Sequence, residues 1–371
     1  TYPYNKIHRL WLNGVEREIT PKNEVSGVEP ADGSNGETVP TRSVAEVRQL
    51  IASEGSAAPD WLESTPLVFP KTLDLNWPMP APQPWNNQKN LGQYIWDRVN
   101  PNAGQWQGGI RLMVDLLGRH AKEPEVQRRV MQSLGGMYFR FFQDYIRAAY
   151  WWQKAGVAGG DHDTIGLAEC YFRLGCRELA EEVLRSSGIS PGKIKLLGQM
   201  GDVDEALRQA DLFAVRSQQP HEAWLVAGDI CRVAHRFEKA IEYYQKVVEG
   251  PHARNEDYDK RYRGRATDSI EFIRRFELLD LSSIPDGVYR GSSLGYEAPV
   301  HVAATVKSGR IDRVEITQHR EKQYYSALRD VPAQIVRKQD LKDVDATSRA
   351  TITGVAIINA TAKALAARAR D

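Results

Sequence analysis

The feature that most constrains the fold is a recurring pattern of small and large apolar residues in the middle of the chain. Its small central positions, separated by 32, 26 and 34 residues, are Ala148, Ala180, Ala206 and Ala240. In the fullest copy, Gly228 and Ala240 would let two helices approach, while the rings of Trp224 and Tyr244 fill the space between neighbours. Because one such helix pair cannot bury its apolar face alone, the pattern predicts a stacked array of helix pairs.

This pattern resembles the tetratricopeptide repeat, whose period is about 34 residues. The resemblance is best over residues 224–251 and looser in the copies before it. It implies a helical array over residues 91–281, with a protein partner bound in its concave groove. The alternative is that the repeats serve only as a scaffold. Apolar residues at helical spacing predict one more helix over residues 268–280, which would close the array.

Beyond residue 285 the spacing of apolar residues changes from one typical of a helix to one typical of a strand. Over residues 300–307, Val and Ala alternate with mostly polar side chains, as expected of a half-buried strand. Ser308 and Gly309 suit a hairpin turn, and apolar residues from Ile311 onward indicate the returning strand. Residues 355–365 are apolar and rich in Ala, which predicts a closing helix. We therefore predict a small α+β domain over residues 282–371.

Small hydroxyl residues cluster directly before this closing helix. Residues 345–353 read Asp-Ala-Thr-Ser-Arg-Ala-Thr-Ile-Thr. Hydroxyls beside the free N–H groups of a helix N-terminus suit a phosphate, because these groups point outward and the helix dipole attracts negative charge. The alternative is an ordinary helix cap, a role in which Ser and Thr are common.

Taken with the strands before it, this run resembles the FMN-binding domain of flavin-carrying subunits in sodium-pumping quinone reductases and related electron-transfer complexes. That family shows a Gly-Tyr-x-x-Pro-Val segment, two strands, a His-x-Glu exit, a hydroxyl motif and a helix. The matching residues are Gly295, Tyr296, Pro299, His319, Glu321, Asp345, Ser348, Ala350 and Thr351. The resemblance covers residues 284–367. It implies FMN as cofactor, electron transfer as function, and a phosphoester bond between FMN and Thr351.

Side-chain chemistry adds detail to this predicted site. Hydroxyls for the phosphate would come from Ser348, Thr351 and Thr353. Tyr296 would flank the flavin ring, with a core aromatic as the alternative. His319 and Glu321 are further cofactor-binding candidates, with plain surface residues at a strand end as the alternative. The sequence offers no set of catalytic residues and no metal site.

Arg349 is the one departure from the family motif, which has Gly at this position. Its guanidinium would suit phosphate oxygens, but Arg adopts positive φ and tolerates close backbone approach less readily than Gly. Three outcomes are open: FMN esterified to Thr351, FMN bound without a covalent bond, or loss of the flavin. In the last case the chain would be a non-catalytic protein-interaction scaffold. Whether it is an enzyme or a redox carrier also stays open.

The pattern of residues 1–90 predicts an irregular N-terminal extension. Asn13 and Gly14 between short apolar runs predict a hairpin, and residues 44–51 predict a short helix. Residues 60–90 are rich in Pro and Trp, which favours extended, irregular chain. The sequence therefore predicts a multidomain protein: this extension, an all-α tetratricopeptide-like array over residues 91–281, and a small α+β FMN-binding domain.

Composition narrows the function classes. The 371 residues exceed what one ordinary core holds. The 49 basic and 48 acidic residues give a net charge of +1, which offers no electrostatic case for nucleic acid. No apolar run approaches the length of a membrane span. Because the chain starts with Thr, we expect that an N-terminal piece has been removed. The family resemblance implies a bacterial protein exported to the periplasm or another extracytoplasmic site, with a redox partner.

Overall fold

The computed structural model describes residues 9–12, 15–18, 41–77, 83–160, 162–276, 281–322, 326–341, 344 and 351–366. By its internal contacts the chain divides into two units. The first comprises residues 1–67 and 110–187, and the second comprises residues 68–109 and 188–371. The domain boundaries that we predicted from the sequence stay predictions.

Helices and strands of the described residues are numbered in chain order. The helices are α1 (Val44–Glu54), α2 (Leu91–Tyr94), α3 (Trp106–Arg119), α4 (Pro124–Met137), α5 (Tyr145–Lys154), α6 (Thr164–Arg173), α7 (Arg177–Ser186), α8 (Pro191–Gln199), α9 (Val203–Arg216), α10 (His221–Val233), α11 (Phe237–Glu249), α12 (Glu256–Phe276), α13 (Ala327–Lys338) and α14 (Thr351–Ala366). The strands are β1 (Arg9–Leu12), β2 (Val15–Glu18), β3 (Gly287–Leu294), β4 (Pro299–Lys307) and β5 (Arg310–Gln318). Short π-helical turns span Ile95–Val99 and Tyr138–Phe142, and 3₁₀ turns span Ala103–Gln105 and Leu281–Ser283.

The first unit opens with the predicted hairpin, in which β1 and β2 pair antiparallel with Leu12 opposite Val15. Helix α1 starts at a capping box, because Ser43 accepts from the backbone N–H of Glu46 and the Glu46 carboxylate accepts from that of Ser43. Further along, a Cβ on Gly135 would lie 2.5 Å from the fully buried Trp152 ring. The small position of this helix pair is therefore Gly135, one residue before the Gly136 that the repeat pattern indicated.

Helices α10 and α11 of the second unit pack at the positions that the fullest copy of the pattern indicates. A Cβ on Gly228 would meet the Tyr244 ring at 2.5 Å, and Ala240 is fully buried. The Tyr244 hydroxyl donates to Asp229 over 2.7 Å, and Arg265 of α12 pairs with the same carboxylate. This helical content is consistent with a repeat array, while the tetratricopeptide assignment itself stays a prediction.

An antiparallel sheet of three strands, in the order β3-β4-β5, follows the helices. The predicted turn joins β4 and β5, with φ of 51° at Ser308 and 70° at Gly309. The central strand β4 buries Val300, Val302 and Val306, as the alternation indicated. Strand β3 and helix α13 were not predicted. The helical region followed by a small α+β domain confirms the predicted fold class.

Helix α14 covers this sheet and is apolar on nearly every side, with residues 353–362 all buried. It contacts β3 most closely at Gly291, where a Cβ would run into the carbonyl oxygen of Ala360 and lie 2.6 Å from the backbone N of Ala364. Helix α12 lies against α14, and Lys363 of α14 pairs with Asp268 over 2.7 Å. Within the described residues, no helix has both the length and the apolar character that a membrane span requires.

We predict that Gly291→Ala lowers the free energy of unfolding by about 2–3 kcal/mol, because the added methyl group meets backbone atoms that cannot move aside. Urea denaturation measures the change. The matched control is Gly118→Ala in α3, where an added Cβ meets nothing within 4 Å. That variant should be neutral or more stable by up to about 1 kcal/mol. Equal stability of wild type and Gly291→Ala would contradict the close packing of α14 on β3.

Candidate functional site

Glu321 is the residue that brings the candidate site together. It follows the end of β5 and is 5% exposed. Its Oε1 accepts a hydrogen bond from the backbone N–H of Tyr296 over 2.8 Å, and its Oε2 accepts one from the Thr353 hydroxyl. One buried carboxylate therefore joins the Gly295–Tyr296 turn, the exit of β5 and the first turn of α14. We call these four residues, Gly295, Tyr296, Glu321 and Thr353, the Glu321 clamp.

Gly295 is required by this clamp. A Cβ at this position would collide with Glu321 Oε1 and would lie 2.8 Å from Val300 Cγ2. The backbone N–H of Gly295 also donates to the carbonyl of Ala298 over 3.0 Å, which closes the turn before β4. A Gly in such a turn lets another group approach the backbone closely. In the structure, the group that approaches so closely is the carboxylate of Glu321.

The electrostatics of Glu321 follow from its burial. Desolvation raises the pKa of Glu321 above its ordinary value, while hydrogen bonds from Thr353 and from the backbone of Tyr296 and Glu297 oppose the shift. The backbone N–H of Glu321 donates to Nδ1 of His319 over 3.2 Å. Partial burial of the His319 ring lowers its pKa, which keeps Nδ1 available as an acceptor.

Tyr296 lies against helix α12. Its hydroxyl shares a 2.8 Å hydrogen bond with that of Tyr258, and the Arg261 guanidinium lies 4.5 Å from the centre of its ring. The pKa of Tyr296 is raised to about 12, mainly by burial and secondly by the hydrogen bond with Tyr258. Arg261 also pairs with Glu297 over 3.2 Å, and Glu297 pairs with Lys322 over 3.4 Å. Residues of helix α12 thus hold the Gly295–Tyr296 turn in place. Contact between Tyr296 and a flavin stays a prediction.

The hydroxyl run is only partly described. Asp345, Ser348, Arg349 and Ala350 lie outside the described residues. Thr351 is the first residue of α14 and is half-buried. Pro299, the first residue of β4, is exposed and pairs with Leu294 of β3.

The start of α14 fits the phosphate of FMN. The first backbone N–H groups of a helix have no acceptor within that helix, and the dipole of this 16-residue helix favours an anion there. The first turn carries no acidic residue of its own, and Thr351 adds a hydroxyl. The Thr353 hydroxyl donates to Glu321, and its binding to the phosphate stays a prediction.

Two site-shaping residues of α12, Tyr258 and Arg261, were missed from the sequence. We predicted this helix over residues 268–280, but it begins at Glu256. The start was missed because the first turns are strongly polar and carry no apolar spacing. The spacing of three residues, which puts Tyr258 and Arg261 on one face, is the signal that was present. It could not indicate that this face meets the Gly295–Tyr296 turn.

Comparisons with known proteins identify the family of the C-terminal part of the chain. Residues 295–366 match the family model described as the FMN-binding domain. The chain therefore carries an FMN-binding domain in its C-terminal part, which confirms the resemblance and supports FMN as its cofactor. A protein of Treponema pallidum (strain Nichols), described as uncharacterized, is 37% identical over 86 residues. That stretch is 23% of this chain and 24% of the relative. No solved structure gives a significant match.

We predict that Glu321 makes stability depend on pH. Because the pKa of Glu321 is raised in the folded protein, the folded state keeps the proton to a higher pH than the unfolded chain. Its contribution is complete below the ordinary pKa of 4.5 and is lost as pH rises through the folded-state pKa. The free energy of unfolding of wild type minus that of Glu321→Gln should therefore fall as pH rises above 4.5.

Urea denaturation over a series of pH values measures this difference. Glu315→Gln, which removes one exposed carboxylate from β5, controls for the loss of a negative charge. A difference between wild type and Glu321→Gln that rises with pH would contradict the burial of Glu321.

We also predict that Thr353→Val destabilises the protein by about 1–3 kcal/mol, because it leaves a buried carboxylate oxygen without its donor. Thr353→Ser keeps the hydroxyl and should recover most of this stability. Thermal or urea unfolding of both variants at neutral pH checks the expectation. Unchanged stability in Thr353→Val would contradict a contribution of this hydrogen bond.

Proposed function

We propose that this chain is an FMN-carrying electron-transfer protein, with the phosphate of FMN bound at the start of α14 and esterified to Thr351. The observation that carries the proposal is the Glu321 clamp, which lies inside the FMN-binding domain and fixes the first turn of α14 against the Gly295–Tyr296 turn. A fixed helix N-terminus presents its N–H groups to an anion without further reorganisation.

The chemistry would come from the flavin, which takes up and releases electrons, while the protein supplies binding and orientation. Glu321, through Thr353, holds α14 in place, and the α14 N-terminus binds the phosphate. Helix α12 holds the turn through Tyr258 and Arg261. In each transfer a reduced partner protein would lose the electron that the flavin gains, and a second partner would gain it afterwards. The protein would then need no substrate of its own.

Esterification requires an activated flavin donor. Thr351 Oγ would form a bond to the phosphorus of FMN delivered as a phosphoanhydride. The anhydride P–O bond would break, the remainder of the donor would leave with the electron pair, and the hydroxyl proton would pass to solvent. A separate transferase would supply the catalysis, since the site contributes the acceptor hydroxyl and a helix N-terminus.

The proposal also covers the protein partner and the location of the protein in the cell. The helical region would dock a protein partner, and its packing of small against aromatic residues at Gly228 and Tyr244 supports a stacked array. We propose an extracytoplasmic, periplasmic location in a bacterium, which rests on resemblance to exported members of the FMN-binding family.

We predict that Thr351→Ala abolishes flavin colour that survives acid denaturation, while Thr351→Ser, which keeps a hydroxyl, retains it. The full chain is produced together with a flavin transferase, precipitated in acid, and the visible absorbance of the washed polypeptide is measured. Acid-stable colour in Thr351→Ala would refute the assignment of Thr351. Colour that acid releases from every variant would show binding without a bond. A wild-type chain that stays colourless after addition of FMN would refute flavin binding and favour the interaction scaffold.

A further inference from the structure

A cavity of about 410 Å³ lies beside the FMN-binding domain, within the second unit. It is lined by Asn87, Trp96, Asp97, Arg98, Pro101 and Lys322. Five of these residues come from a segment far before the FMN-binding domain in sequence. The sixth, Lys322, directly follows Glu321 of the clamp. The cavity is therefore a place where the N-terminal part of the chain meets the flavin domain.

The wall formed by the N-terminal segment is held in place by its own hydrogen bonds. The carboxylate of Asp97 accepts from the indole N–H of Trp85 over 2.7 Å and from the amide of Asn87 over 3.0 Å. Asp97 lies in the π-helical turn Ile95–Val99, a type of turn that is frequent at functional sites. Asn90 caps the short helix before this turn by accepting from the backbone N–H of Gln93. The backbone on both sides of Trp96 is thus held by local hydrogen bonds.

The chemistry of the lining suits a flat aromatic group with a polar edge. Trp96 is 40% exposed, so much of its indole is available to a ligand. Arg98 and Lys322 place two cations at the same cavity, where Lys322 also pairs with Glu297 and the Asp97 carboxylate is held by Trp85 and Asn87. A flavin ring has a flat face for an indole, and its polar edge gains negative charge on reduction, which nearby cations stabilise.

The cavity is connected through the clamp to the expected phosphate position. Thr353, two residues after Thr351, hydrogen-bonds to Glu321, and Lys322 is the next residue along the chain. One side-chain hydrogen bond and one peptide unit therefore link the first turn of α14 to a residue of the cavity lining. In FMN a five-carbon ribityl chain separates the phosphate from the ring, so the two ends of the molecule need not share one pocket.

We propose that this cavity holds the isoalloxazine ring of the FMN whose phosphate lies at Thr351, with Trp96 against the face of the ring and Arg98 and Lys322 at its polar edge. This inference rests on the proposed function. It adds that a segment outside the FMN-binding domain completes the site. Five of the six lining residues therefore lie outside the part of the chain that matches the family model.

The test is flavin fluorescence in the full chain loaded with FMN, because an indole in contact with the ring quenches its emission. We predict that Trp96→Leu raises the emission per bound flavin several-fold. Trp224→Leu removes a half-buried indole that does not line the cavity and should leave emission unchanged. Bound flavin is quantified by absorbance. Trp96→Phe keeps an aromatic ring and serves as a second variant if Trp96→Leu folds poorly; it should also raise emission.

A second readout is the midpoint reduction potential of the bound flavin. Arg98→Gln with Lys322→Gln should lower this potential, because two cations that stabilise the reduced ring are lost. Unchanged emission in both Trp96 variants, with flavin bound as in wild type, would overturn the placement of the ring and leave the proposed function intact. A wild-type chain that never retains flavin would overturn both.

Discussion

The buried carboxylate of Glu321 is the interaction on which the C-terminal domain depends. It receives the backbone N–H of Tyr296 and the hydroxyl of Thr353, and thereby joins parts of the chain that are 25 and 32 residues away from it. A buried carboxylate is costly unless its hydrogen bonds are satisfied, so the turn and the helix must both be in place for the site to be stable. The clamp therefore couples the fold of the domain to the geometry of the phosphate site.

Close packing supplies the second constraint. Gly291 lets β3 touch the backbone of α14, and Asp268 of α12 receives both Lys363 of α14 and the hydroxyl of Ser293 of β3. The apolar helix α14 is thereby enclosed by the sheet on one side and by a charged helix on another. Since α12 also holds Tyr296 and Glu297, the same helix orients the turn at one end and α14 further along.

Sequence reasoning succeeded where the spacing of apolar residues directly indicates which side chains are buried. Alternation predicted β4, the residue types at Ser308 and Gly309 predicted the turn, apolar residues after it predicted β5, and an apolar run predicted α14. It failed at β3, because Gly291, Ser292 and Ser293 interrupt the alternation and the strand is recognised only through its pairing with β4. It found Glu321 through family resemblance and Thr353 through its hydroxyl, as separate candidates. Their hydrogen bond joins distant positions, and no local pattern encodes it.

The same limit applies to the segment around Trp96. We predicted that the helical array begins at residue 91, so Trp96 was expected within a helix, and a helical period does not reveal which distant part of the chain a side chain faces. Only the fold shows that Trp96, Arg98 and Lys322 share one cavity. A flavin domain must both anchor a phosphate and cover a ring, and in the proposed site the anchor comes from α14 and the clamp. A cover drawn from another part of the chain would let the flavin environment change without altering the residues that hold the phosphate.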